Sequence, residues 1–173
     1  METWEAIRTY RAVRSFADRP LAEEHLDRIL RAGRRAPSSK NTQRWDFVAC
    51  RDRVHLRELS GVGPFAGHVA IAAAAVALVT PDISEPDRRA WIMFDIGQAA
   101  QSMLLAAWDL GVAGVHATVY DEPLARKLLG YPENHRCDLV LSFGYPADPS
   151  LLKAPPAPGG RRPLGEVVRW EHW

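Results

Sequence analysis

Trp91-Ile-Met-Phe-Asp-Ile-Gly-Gln-Ala-Ala-Gln-Ser-Met-Leu-Leu-Ala-Ala-Trp108 is the stretch that decides how this chain folds. Wound at the 3.6-residue period, its apolar side chains from Trp91 through Met93, Phe94, Ile96, Ala99, Met103 and Leu105 to Trp108 cover nearly the whole circumference of a helix. The pattern predicts a helix from about Asp87 to Leu110, stopped by Gly111. A helix that is apolar all round has to be buried all round. Two arrangements achieve this in a small protein: the helix is the centre of a monomer's core, or it lies between a sheet and a second copy of the chain. Asp95, Gln98, Gln101 and Asp109 argue against exposure to lipid.

Upstream, the apolar run Val69 to Val79 is too short to span a bilayer and reads as a buried strand, Ala70 to Thr80. Trp45 to Cys50, Ala113 to Thr118 and Asp138 to Phe143 read as further strands. Helices are expected through Trp4 to Arg8, from near Pro20 to before Pro37, and over Arg53 to Leu59. Another follows Asp121 as N-cap, with Pro123 in its first turn and Gly130 past its end. Pro155, Pro156, Pro158, Gly159 and Gly160 make Leu151–Pro163 a connector, followed by a short strand from Glu166 to Trp170. Helices and strands mix without βαβ repetition, so the class is α+β.

At 173 residues the chain reads as one domain, 1–173, large enough to need no disulfide or metal staple. Its net charge of +1, with both signs interspersed, argues against a nucleic-acid binder. The N-terminus shows neither a basic nor an apolar leader, and Cys50 and Cys137 sit in strand-like stretches. A cytoplasmic protein with buried free thiols is the expectation, with no membrane partner.

None of the six histidines falls into a metal-ligand spacing, neither cysteine has a Cys-x-x-Cys partner, and no G-x-S-x-G elbow or P-loop occurs, so no metal is expected. Gly61-Val-Gly63-Pro-Phe-Ala66 matches a loose dinucleotide fingerprint only superficially, because it follows a helix and holds Pro64; it reads as a turn. Three segments remain. Arg11-Ala12-Val13-Arg14 offers two forked cations next to Phe16. Pro37-Ser38-Ser39-Lys40-Asn41-Thr42-Gln43 brings hydroxyls and amides into a loop that can bond the heteroatom edge of a ring, although Pro, Ser and Asn also serve ordinary connections. Arg161-Arg162 forms a basic pair at the end of the connector.

In this order the segments resemble the nitroreductase family of FMN enzymes. The resemblance rests on Tyr10-Arg-Ala-Val-Arg-Ser-Phe16, Ala36-Pro-Ser-Ser-Lys-Asn-Thr-Gln-Arg-Trp-Asp-Phe47, Asp95-Ile-Gly97, Phe143-Gly-Tyr-Pro146 and Arg161-Arg-Pro-Leu164. It implies a three-layer fold with a mainly antiparallel sheet between helices, and an intertwined homodimer in which residues 151–173 wrap the partner and lend it a swapped strand. It implies FMN bound at the subunit interface: Arg11, Ala12 and Arg14, with Arg161 or Arg162, at the phosphate and pyrimidine edge, and Pro37, Ser38, Ser39, Asn41 and Gln43 reaching the same flavin from the other subunit. Ala117–Thr118 would place a backbone N–H near flavin N5. The implied activity is reduction of nitroaromatic or quinone-like substrates with NAD(P)H by a ping-pong hydride mechanism. No side chain is expected to be catalytic, since the hard chemistry belongs to the flavin. A flavin-sequestering protein with little turnover is the alternative. Tyr10 and Ala12 replace an arginine and a serine of the usual motif, Arg44 replaces a proline, and only a few residues link Thr80 to Trp91, where larger relatives insert a covering helix.

Overall fold

The computed structural model describes residues 1–155 and 160–173. Its elements run α1 (Thr3–Thr9), α2 (Glu23–Arg34), β1 (Asp46–Cys50), α3 (Arg53–Leu59), β2 (Ala74–Pro81), α4 (Pro86–Asp109), β3 (Ala113–Thr118), α5 (Glu122–Leu129), β4 (His135–Gly144) and α6 (Leu164–Val167). The strands form one sheet in the order β1-β2-β4-β3, and every pairing is antiparallel.

The sequence of β2 explains the layering. Successive side chains of a strand point to opposite faces. Ala74, Val76 and Leu78 therefore pack with α2 and α4, through Ile29, Ile96, Met103 and Ala107. Ala75, Ala77 and Val79 enter a second core with Leu56 and Leu59 of α3 and Ala125 of α5. A strand covered on both faces reads as a continuous apolar run, and the result is three layers of helix, sheet and helix. This bears out the α+β expectation.

Local chemistry sets the element ends. The Asp52 carboxylate accepts from the N–H groups of Val54 and His55 (3.0 and 2.8 Å), which starts α3. The Asp121 carboxylate accepts from Leu124 N–H (2.9 Å), which starts α5, and Gly130 ends that helix at φ 72°, where a side chain would be strained. Trp108 at the far end of α4 is buried; its indole N–H donates to Thr9 Oγ1 (2.9 Å) and its ring meets Tyr10 edge-on (5.8 Å between centroids). This contact pins the N-terminal segment across α4. Cys50 and Cys137 are free, buried thiols.

Two predicted strands differ. The strand expected from Ala70 begins at Ala74, because residues 67–71 form a 3₁₀ turn that uses its N–H groups locally: Val69 donates to Ala66 O (2.9 Å) and Ala72 to Val69 O (3.2 Å). The strand expected over Glu166–Trp170 is absent within the chain. Pro163 instead opens the single helical turn α6, where Val168 N–H returns to Leu164 O (2.9 Å). Four residues of the connector, 156–159, lie outside the described residues. Among the described residues, no helix is long and apolar enough to cross a membrane.

The all-round apolar character of α4 is only half used. Ile92, Ile96, Ala99, Met103 and Ala107 are buried, whereas Trp91 and Phe94 on the far side are 62% and 61% exposed. Helix α2 approaches the buried side so closely that a Cβ added at Gly33 would fall inside the Met103 side chain. Gly33→Val is therefore expected to lower stability by ~1–3 kcal/mol through overpacking. In denaturant titrations the double variant with Met103→Ala should be less destabilised than the sum of the two single changes.

Candidate functional site

The Ser38–Gln43 loop joins α2 to β1 and is held by α4. Both Asp95 carboxylate oxygens accept from the backbone N–H of Ser39 (3.2 and 3.1 Å), and Asp95 is only 5% exposed. An acid buried in an apolar helix needs such partners. Within the loop, Ser38 Oγ accepts from Gln43 N–H (2.9 Å), Thr42 Oγ1 donates to Ser39 O (2.9 Å), and Gln43 Nε2 donates to Asn41 Oδ1 (3.1 Å). Lys40, Asn41 and Gln43 all take left-handed backbone conformations, with φ of 53°, 55° and 47°. Such residues persist where the surroundings over-determine them, and they gather at ligand sites. The loop thus holds amides and hydroxyls outward on a fixed support.

The loop borders the open face of α4. Pro37, Met93, Phe94, Gln98, Gln101 and Leu105 line a shallow groove of about 510 Å³. Whatever covers that apolar face also approaches Pro37 and the polar loop that follows it.

The second group lies across the N-terminal segment. Arg14 is exposed and makes no hydrogen bond or ion pair among the described residues. His68 is buried, and its Nδ1 lies 2.8 Å from Ser142 Oγ. The Ser142 hydroxyl is also within 3.4 Å of Val115 O. With that hydroxyl donating to the carbonyl, His68 Nδ1–H donates to Ser142 Oγ and Nε2 keeps its lone pair. Nε2 is buried without a partner. Burial, then the charges of Arg14 and His116, push the His68 pKa down to about 4, so the ring is neutral near pH 7. His116 and Thr118 share the exposed face of β3, while Ala117 between them is buried. The Arg14 cation, the unsatisfied His68 imidazole and His116 therefore lie close enough to act on one another. This donor set suits a phosphorylated, carbonyl-bearing ring.

The other sequence candidates are placed as follows. Arg11 donates to Ala154 O and to Pro155 O (3.2 Å), so its guanidinium fastens the start of the C-terminal extension. Ala12 is exposed and brings no donor side chain. Tyr10, in place of an arginine, is desolvated, its pKa raised to about 12, with its hydroxyl 3.4 Å from Gly114 O. Arg161 and Arg162 are exposed, and Arg161 donates to Gly160 O (3.0 Å). No hydrogen bond or ion pair among the described residues joins the Arg11–Arg14 segment to the Ser38–Gln43 loop. Asp95 and His68 were missing from the sequence candidates. Asp95 carried a signal, as the acid in the apolar stretch of α4; His68 carried none, since its segment read as a turn running into a strand. Among the described residues, no group of three or more His, Cys, Asp or Glu could hold a metal ion.

The Nitroreductase family model matches residues 7–64 and 63–145. An Archaeoglobus fulgidus protein provisionally named NADH dehydrogenase/NAD(P)H nitroreductase is 36% identical over 152 residues, covering 85% of this chain and 87% of its own length. The crystal structure of a Parabacteroides distasonis protein with the same provisional name superposes with a TM-score of 0.83 at 30% identity, over 99% of this chain and 98% of that one. NADPH:FMN oxidoreductase from Vibrio harveyi, solved in complex with NAD⁺, superposes with a TM-score of 0.81 at 26% identity, over 99% of this chain and 77% of that one.

Lowering the pH should expose the strained state of His68. Its folded pKa lies below the ordinary value of 6.5, so the unfolded chain takes up the proton first as pH falls. The stabilising contribution is complete above about pH 6.5 and is lost progressively towards pH 4. A thermal denaturation series across that window should show a shallower decline for His68→Gln than for the wild type.

Proposed function

This chain belongs to the nitroreductase family, and from that membership we propose that it is an FMN-dependent oxidoreductase working as a homodimer. The observation that carries the proposal is the pairing of an uncovered apolar face on α4 with the polar loop at its border. Exposed patches of this kind mark interfaces. A second copy seated on Phe94, Met93 and Leu105 would bring its own Arg14 region towards the Ser38–Gln43 loop of the first. The two polar groups, unconnected within one chain, would then face a common ligand.

In that arrangement Arg14, with Arg161 or Arg162, supplies forked cations to the FMN phosphate and pyrimidine edge. Ser38, Ser39, Asn41 and Gln43 of the partner offer neutral donors and acceptors to the ring, and the backbone at Ala117–Thr118 offers an N–H beside it. Arg11 acts one step back, by fixing the extension that carries Arg161 and Arg162. Tyr10 and Ala12 withhold a cation and a hydroxyl, which leaves Arg14 a larger share of the phosphate's charge. In α6 and the tail after it, Leu164, Val167, Trp170 and Trp173 are exposed at 76%, 49%, 81% and 104%, as expected of a segment that wraps a partner. FMN held there would supply the redox chemistry that links oxidation of NAD(P)H to reduction of a nitroaromatic or quinone in a ping-pong cycle. The side chains bind, orient and exclude water; none is needed to move a proton.

A second reading has its own observation. Only Asp82 to Glu85 link β2 to α4, so no inserted helix covers the site, and a flavin-holding protein with little turnover would need none. Steady-state oxidation of NADH or NADPH with menadione separates the two readings, since tight FMN without turnover supports holding alone. Reconstituted protein is expected to show flavin absorbance, and its absence overturns both readings. Arg14→Ala should weaken FMN by ~1.5–3 kcal/mol, the scale of a lost charge-assisted contact. Sedimentation should give about twice the 19.3 kDa chain mass, and a folded monomer in dilute buffer would contradict the shared site.

A further inference from the structure

We propose that the pocket between the Ser39–Arg44 loop and the first turns of α4 receives a phosphate group of the nicotinamide dinucleotide, held by Lys40, Arg44 and Arg88 beside the Trp91 indole. The inference rests on the oxidoreductase reading above and extends it to the part of the reductant that does not react.

The pocket has a volume of about 150 Å³ and is lined by Ser39, Lys40, Thr42, Arg44, Arg88 and Trp91, with Ile92 and Asp95 at its base. That volume is below the roughly 300 Å³ at which sites for whole drug-sized ligands begin, so it suits a phosphate and its waters better than a flavin ring. Three cations meet there against one carboxylate. Both oxygens of that carboxylate, on Asp95, are already engaged by Ser39 N–H. Lys40 and Arg44 make no ion pair among the described residues. Arg88 is paired with Glu85 (2.8 Å), but the two side chains are 56% and 62% exposed, and such a pair is worth little against a phosphate.

The backbone holds these charges in place at a cost. Lys40 stands at φ 53° between residues tied to Asp95 and to Ser38, so the loop is fixed in a conformation that non-glycine residues seldom take. Arg44 is half-buried, which limits where its guanidinium can go. Trp91, 62% exposed and set edge-on to Phe94 (6.3 Å between centroids), lines the same pocket as the cations. Cations beside an exposed aromatic are the chemistry that recognises a phosphorylated nucleotide. The position also fits the proposed site, because the same loop offers Ser39 and Asn41 to the flavin, where the reacting end of the nucleotide must lie.

The test uses the FMN-loaded dimer and the double variant Lys40→Ala/Arg44→Ala. Michaelis constants for NADPH and NADH are measured against neutral menadione over a range of salt, and FMN affinity is measured by fluorescence quenching. Titration with 2′,5′-ADP, followed by calorimetry, probes the pocket without turnover. The expected result is a rise of about ten- to a hundredfold in the reductant KM, the scale of one lost charge-assisted contact, with a weaker dependence on salt. FMN affinity should be unchanged, and 2′,5′-ADP binding should be lost. A rise for NADPH alone places the 2′-phosphate in the pocket, and a rise for both nucleotides places the pyrophosphate there. Unchanged reductant KM with intact FMN overturns the proposal. Loss of FMN binding in the variant overturns it too, since the cations would then serve the flavin. If the double variant does not fold, Lys40→Gln and Arg44→Gln are read separately by the same criteria. If the wild type binds no FMN, the oxidoreductase reading fails, and the 2′,5′-ADP titration still decides the pocket.

Discussion

Strand β2 cannot give up either of its faces. It lies second in the sheet, bonded to β1 on one side and β4 on the other, with buried side chains above and below from Ala74 to Thr80. Five of these residues are alanine or valine with alternating partners, so the layers on both sides come close and each must be filled by a helix. The α2–α4 pair fills one side and the α3–α5 pair with its turns fills the other. The position of α4 follows from this, and the position of the Ser38–Gln43 loop follows from α4 through Asp95. The Ser38–Gln43 loop is therefore placed by an alanine-rich strand that acts on it through α4 and Asp95.

The same chain of dependence explains what the sequence disclosed. Helices α4 and α5 were legible with their ends, because Gly111, Asp121 and Gly130 act locally and their chemistry is visible in the residue type. The start of β2 was not legible. Hydrophobicity reports that Val69 and Ala72 are buried, but not that their N–H groups close a turn instead of joining a ladder. The strand expected over Glu166–Trp170 rested on β-branched residues alone; within one chain it has nothing to pair with. Of the candidate site, the Ser38–Gln43 loop and Arg14 were legible from the order in which their segments follow one another, since each segment alone suits an ordinary connection. His68 was not, because a lone histidine in an apolar stretch acquires meaning only when Ser142, Arg14 and His116 arrive from distant elements.

Several features of the chain are open on one side. The far face of α4, the aromatic tail and the unpaired Arg14 each lack a counterpart within the described residues. A monomer that exposed Phe94, Trp170 and Trp173 together would carry a large apolar area without use. The proposed dimer answers these together, and it gives a physical reason why Arg14 and the Ser38–Gln43 amides are not bonded to each other among the described residues: each subunit would supply half of two sites.

The two thiols bear on what such a catalyst must survive. Quinones are electrophiles, and they add to thiolates far faster than to thiols. Burial raises the pKa of Cys50, and it pushes that of Cys137 up to about 12. Both sulfurs sit within the sheet, out of reach of solvent and almost wholly protonated at neutral pH. A protein that turned over such compounds would therefore offer them no exposed thiolate to arylate.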